Sequence, residues 1–324
     1  AGFFTQVSGT NRARIARLNQ GGAVDLTFDP GAGADNAIFA MALQSDDKVV
    51  IGGGFSTFNG IGRNFIARLN ANGTLDNTFD PGTGANGPVF AVAVQSDGKI
   101  VMGGDFTSVN GFALTNLARL NADGSVDTSF TIGTGANSTV RSILLQSDGK
   151  ILMAGSFTNY AGAAVGRVAR LHSTGLLDGT FNPGGIGADN AVFYMTVQGD
   201  GKMLLGGDFT RFNGVSRNRF TRLNPDGTTD PTINIGTGAN NFVAAIAVQT
   251  DSKILLAGGF TMFNSVPKNY LTRLNGGVIA GPGALEFTSA NYSVAENAGS
   301  AAITVRRVGG TTGPASVFFS TSDG

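Results

Sequence analysis

One pattern returns along almost the whole chain at a nearly constant interval. In the stretch Val89 to Asn121, VFAVAVQSDGKIVMGGDFTSVNGFALTNLARLN, the phenylalanine of G-G-x-F-T and the arginine of R-L-N both have counterparts before and after it. The phenylalanines are Phe4, Phe55, Phe106, Phe157, Phe209 and Phe260; the arginines are Arg17, Arg68, Arg119, Arg170, Arg222 and Arg273. Both series advance by 51 residues at every step except one of 52. A period of this size means stacked copies of one supersecondary unit, each burying its apolar face against the next. The chain is therefore a repeat protein before any single element is assigned.

Within each copy the order of elements is legible. An apolar run (Ile38–Leu43, Val89–Val94, Val140–Leu145, Val192–Val197, Val243–Val248) ends at a glutamine and is followed by a turn such as Ser96-Asp97-Gly98-Lys99. Asp-Gly between two apolar runs predicts a β-hairpin. The opening run is apolar at consecutive positions, so it is expected to be covered on both faces. Its small residues, Ala40 and Ala42, Ala91 and Ala93, Ala245 and Ala247, suit strands crowding together at the axis of radially packed blades. Lys-Ile-x-x-Gly-Gly-x-Phe reads as a second strand, Ala-Arg-Leu-Asn as a third, and Asp-x-x-Phe as a short fourth. Four strands in about 51 residues match the blade of a β-propeller.

The copy count then bears on the number of blades. Gly2 to Gly9 aligns with Gly104 to Gly111, so the first copy starts without an opening strand. A six-bladed propeller is favoured, and a five-bladed one would leave a surplus segment of roughly 20 residues at this blade size. The single extra residue falls in Gly184-Gly185-Ile186-Gly187. Insertions collect where strands are unpaired, which marks the P-G-x-G-A-[DN] segment as the connection between blades.

The recurring unit, ARLNADGSVDTSF followed by QSDGKIVMGGDFT, resembles the delta-60 repeat family over roughly residues 1–276. These are bacterial propeller-type repeats of large secreted or surface proteins. The resemblance implies a propeller and carries over no active site. From Gly276 the composition shifts. Residues 277–284 read as a Gly/Pro linker, and 285–324 resemble the N-terminal part of a Calx-β domain, an Ig-like sandwich. Leu285–Asn297, Ala301–Arg307 and Val317–Gly324 correspond to its first three strands. That resemblance implies Glu296 and Asp323 as calcium-ligand candidates, and calcium as the one cofactor to expect.

Composition narrows the function classes. The formal net charge is zero, so there is no basic excess to release counterions from a nucleic acid. No run of 18 apolar residues suggests membrane insertion. There is no cysteine, and the N-terminal AGFFTQVSG has neither the charge nor the apolar core of a signal peptide. Only Glu286 and Glu296 are glutamates, both beyond the repeats. A glycosidase needs two carboxylates across a cleft, whereas the aspartates Asp97, Asp123, Asp148, Asp200 and Asp226 recur at turn positions that favour aspartate. Hard cations want oxygen ligands, which makes Asp29, Asp35, Asp80 and Asp189 secondary calcium candidates. The one histidine, His172, stands where other copies have the Asn of R-L-N. The arginine of R-L-N is expected to bond a carbonyl or an aspartate of a neighbouring blade. The chain reads as a non-catalytic extracellular or cell-surface binding or adhesion scaffold, part of a larger or filamentous assembly, with a protein or glycan ligand at the propeller face. The alternative is a propeller-type glycan hydrolase or lyase. Self-association through strand addition is also expected, with Ser300–Val305 as the donor.

Overall fold

The computed structural model describes residues 1–233 and 235–275, together with the strands Ala284–Phe287 and Val305–Val308. All of its regular structure is β, and none of the described residues is helical. The chain forms two compact units, Ala1–Met195 and Thr196–Gly324, divided within the strand Val192–Val197.

The first unit contains three copies of one antiparallel sheet. Each consists of the opening, second and third strands in that spatial order: Ile38–Leu43, Val49–Gly53 and Ile66–Leu69; Val89–Val94, Ile100–Gly104 and Leu117–Leu120; Val140–Leu145, Ile151–Gly155 and Val168–Leu171. The hairpins form at the expected turns. Gln95 N donates to Lys99 O at 2.8 Å, Gly98 takes the positive φ of 82° that the turn demands, and Asp97 Oδ1 accepts from Lys99 N at 3.1 Å.

Two expectations are corrected. Asp-x-x-Phe does not form a fourth strand. Asp76 Oδ1 accepts from both N and Oγ1 of Thr78, at 3.0 and 2.7 Å, and Phe79 N donates to Asp76 O at 3.3 Å. This local turn consumes the donors that a ladder would require. Each copy adds instead a separate two-residue hairpin, as in Thr57–Phe58 with Ile61–Gly62 and Ser108–Val109 with Phe112–Ala113. Its turns, Asn59-Gly60 and Asn110-Gly111, hold both residues at positive φ, the geometry of a type I′ hairpin.

The second correction concerns coverage. The second and third strands, Ile100–Gly104 and Leu117–Leu120, are buried at every position, whereas only Val89 and Ala91 are buried along Val89–Val94. As the edge of its sheet, the opening strand keeps one margin open. Its core side rests on the preceding copy: a Cβ on Gly52 would lie 2.6 Å from Val89 Cγ1, and one on Gly103 would lie 2.6 Å from Val140 Cγ1 and 2.9 Å from Ile143 Cδ1. Glycine is what allows this approach.

The apolar cores are shared between successive copies. Val50 and Ile66 pack with Val89, Ile100, Phe106 and Leu120, while Ala91, Val101 and Leu117 join Val140, Ile151, Phe157 and Leu171. A copy thus buries its apolar surface only by stacking on a neighbour.

In the second unit Val243–Val248, Ile254–Gly258 and Leu271–Leu274 form the same sheet, and Met203–Gly207 pairs with Phe220–Leu223. Ala284–Phe287 pairs antiparallel with Val305–Val308 in the register Ala284↔Val308. Glu296, Asp323 and the expected strand Val317–Gly324 lie outside the described residues, as does most of Ser300–Val305.

Candidate binding site

The most conspicuous polar cluster of the fold proves to be a strut. Arg68 Nε and Lys48 Nζ both donate to Asp76 Oδ2, at 2.7 and 3.0 Å, while Arg68 Nη1 donates to the Ala122 carbonyl of the next copy at 2.6 Å. The guanidinium lies 5.0 Å from the centre of the Phe79 ring. Arg119, Lys99, Asp127, Ser173 and Phe130 repeat the arrangement. Burial by itself would raise the Asp76 carboxyl, but the hydroxyl and amide of Thr78 together with Lys48 and Arg68 outweigh it and hold the group far below the usual carboxylate range. Asp127, Asp178 and Asp230 are held low in the same way. The R-L-N arginine bonds a carbonyl of the neighbouring copy, as expected, while the aspartate it holds belongs to its own copy.

The other acids singled out from the sequence are bonded too, most of them within turns. Asp148 and Asp200 accept from Lys150 N and Lys202 N, and Asp123 from Ser125 N and Oγ. Asp29 and Asp80 each accept the amide two residues on, Gly31 N and Gly82 N. Asp35 accepts from N and Oγ of Ser56 and from Thr57 N. His172 is exposed, and its backbone closes a turn with Leu176 and Gly175. Among the described residues no three His, Cys, Asp or Glu side chains gather where they could hold a metal ion.

What the sequence reading missed lies on the opening strands. In the second, third and fourth copies the register with the second strand shifts after the first paired residue, between Ile38 and Ala40, Val89 and Ala91, and Val140 and Ser142. The residues left over are Phe39, Phe90 and Arg141. Such a β-bulge re-aims a side chain out of the alternation of its strand. Here the re-aimed side chains meet across copies. Phe3 and Phe39 have ring centres 5.9 Å apart and are tilted; Phe39 and Phe90 are stacked at 5.1 Å, with 24° between their planes. The Arg141 guanidinium carbon lies 5.3 Å from the centre of Phe90 and 5.3 Å from that of Phe193. Phe3, Phe39, Phe90, Arg141 and Phe193 therefore make one continuous row. Phe3 and Phe39 are exposed, and the other three are partly so.

Arg141 differs from the strut arginines. No carboxylate lies within ion-pair distance of it and no hydrogen bond is formed by its side chain among the described residues, and its Nε is buried with no acceptor. A signal for it existed in the sequence: Val140-Arg141-Ser142 stands where the preceding copy has Val89-Phe90-Ala91, a charge inside an otherwise apolar run.

Successive β units with shared apolar cores, and one row of side chains leading from copy to copy, define a β-propeller-type repeat protein. The chain belongs to the family described as a β-propeller domain of unknown function (DUF5122), whose members' pattern matches residues 1–28, 44–79, 95–130, 146–181, 198–232 and 249–276, more than half of its length. Six repeats are matched, in agreement with the six R-L-N signatures. No curated protein sequence matches the chain. Solved structures similar to it include the WD40 β-propeller domain of Doa1, at 14% identity and a TM-score of 0.47, over 75% of this chain and 66% of that one. A protein of unknown function from Bacteroides caccae is similar at 12% identity and a TM-score of 0.41, over 74% of this chain and 78% of its own. Streptogramin B lyase is similar at 16% identity and a TM-score of 0.46, over 79% and 74%.

Proposed function

We propose that the repeats form a non-catalytic binding module of an extracellular or cell-surface protein, and that the ligand is taken at the row from Phe39 to Phe193. The observation that carries this reading is the placement of Arg141, an arginine with no acidic partner held between two rings on a partly exposed surface. Arg68, Arg119, Arg170 and Arg222 are by contrast each bonded to an aspartate in a strut. The same commitment of acids supports binding over glycan cleavage, because cleavage needs two carboxylates facing one bond, and Asp76, Asp127 and Asp178 are already bonded to arginine, lysine and hydroxyl groups.

The test compares the intact chain with its Phe39→Ala/Phe90→Ala variant on arrays of immobilised peptides and oligosaccharides, with release of reducing ends followed in parallel. Saturable binding that the double substitution removes, with circular dichroism unchanged and no product released, is expected. Polysaccharide turnover that an Asp→Asn substitution abolishes would instead show an enzyme, and binding that ignores the double substitution would place the ligand elsewhere.

A further inference from the structure

The row has a chemistry that selects among ligands, and the selection rests on the reading of this surface as a binding site. Arg141 is enclosed on both faces by Phe90 and Phe193, each 5.3 Å from its guanidinium carbon. A guanidinium held between rings keeps its charge and all its donors, since cation–π contact uses the face and hydrogen bonds use the plane. Nε is buried without an acceptor, while the two terminal nitrogens are neither buried nor bonded. What remains is the end-on pair of N–H groups, the fork that matches a carboxylate. The strut arginines show that an arginine of this chain takes a carboxylate where one is within reach, there through Nε: Arg119 and Arg170 hold Asp127 and Asp178 at 2.7 and 2.8 Å.

The rings determine what accompanies that carboxylate. The faces of Phe90 carry Phe39 on one side and Arg141 on the other, so what Phe90 has left to offer a ligand is its edge. A pyranose stacks on an open ring face, and Phe90 has none to give. Ring edges are the positive side of the aromatic quadrupole, which favours an anion and accepts apolar groups beside it. Only one charge interrupts the row, and the chain carries no net charge to attract a polyanion. We propose that Arg141 anchors a single carboxylate of a protein ligand, an aspartate or glutamate flanked by apolar side chains that lie against Phe39, Phe90 and Phe193. The rings fix the plane of the guanidinium before the ligand arrives, which lowers the ordering cost of binding.

The experiment titrates the full chain, labelled at arginine and phenylalanine, with the acetylated and amidated pentapeptide Ser-Leu-Glu-Leu-Ser, its twin with glutamine in place of glutamate, and trigalacturonate. Saturable shifts of the Arg141 Nε–H and the Phe90 ring are expected with the glutamate peptide, the glutamine twin binding about tenfold more weakly, as the loss of a charge-assisted fork implies. In Arg141→Gln the two peptides should bind alike, while the Phe106 ring signals report that the fold is kept. Equal binding of both peptides by the unaltered protein would leave the surface as a binding site and remove the carboxylate assignment. Trigalacturonate binding as tightly as the glutamate peptide would make the ligand a glycan and overturn the proposal. No shift along the row with any of the three would remove both readings.

Discussion

Arg68 Nη1 donates to the carbonyl oxygen of Ala122, 54 residues further along the chain, at 2.6 Å. Its Nε meanwhile holds Asp76 of its own copy. One side chain thus ties two neighbouring copies together, with Arg68 and Asp76 themselves largely dry, and the contact recurs as Arg17 with Ala71 and Arg119 with Ser173. Removing Arg119 leaves Asp127 to Lys99 and Ser129 and takes away one buried charge-assisted bond, at a cost of about 1 to 3 kcal/mol. Arg119→Met should therefore destabilise by roughly that amount. Because stability in a repeat array is local, the loss should appear in urea as an early partial transition. A single transition displaced by less than 1 kcal/mol on the same scale would show that the strut is dispensable.

The strut also sets a pH dependence. Asp76, Asp127 and Asp178 have carboxyls lowered in the folded protein by hydroxyl, lysine and arginine bonds that outweigh burial. An unfolded aspartate titrates near 4. A group depressed on folding contributes stability above the unfolded value and loses it as the pH falls toward the folded one. The melting temperature should therefore hold steady from about pH 7 to 5 and drop progressively below about pH 4. Melting curves that coincide at pH 5 and pH 3 would contradict this.

Phe106 and Phe39 provide a matched comparison, one buried in the shared core and the other exposed in the row. Phe106→Ala should cost about 3 to 5 kcal/mol through the cavity it leaves. Phe39→Ala should cost about 1 kcal/mol or less, the scale of one aromatic pair. Denaturant midpoints measure both. Equal losses would mean that Phe39 belongs to the core.

Gly103→Ala should destabilise by about 1 to 3 kcal/mol, because the new methyl meets Val140, whose branched side chain has no other rotamer to adopt cheaply. The equivalent position one copy later already holds an alanine, Ala154, and it is fully buried. There the following strand offers Met195 where Gly103 faces Ile143, and methionine yields more readily. Ile143→Met in the Gly103→Ala background should recover part of the loss in thermal melts.

Much of this was legible because its causes are local. The period, the apolar runs and the Asp-Gly turns each express a preference of a few adjacent residues, and the arginine of R-L-N needed only a partner one period away. Asp127-Thr128-Ser129-Phe130 was misread as a strand because aspartate side-chain bonding competes with extended pairing, and that competition is decided by Ser129 and Arg119 together. Asn110-Gly111 carries a two-residue hairpin signal, but the strands it joins are only two residues long and leave no apolar run to mark them. The row could not be read at all from one strand. It arises from a register shift against the second strand, and register is a relation between two segments; Arg141 alone showed through, as a charge in an apolar run.

The bulge has an evolutionary corollary. Phe39, Phe90 and Arg141 are the residues that the ladder skips, so their identities are not dictated by strand pairing or by the core. The sixth copy has Ala244 at the corresponding position, again beside a register shift. Each of these copies accordingly offers one letter that can be rewritten by a single codon while the scaffold spells itself the same way: phenylalanine, phenylalanine, arginine and, in the sixth copy, alanine.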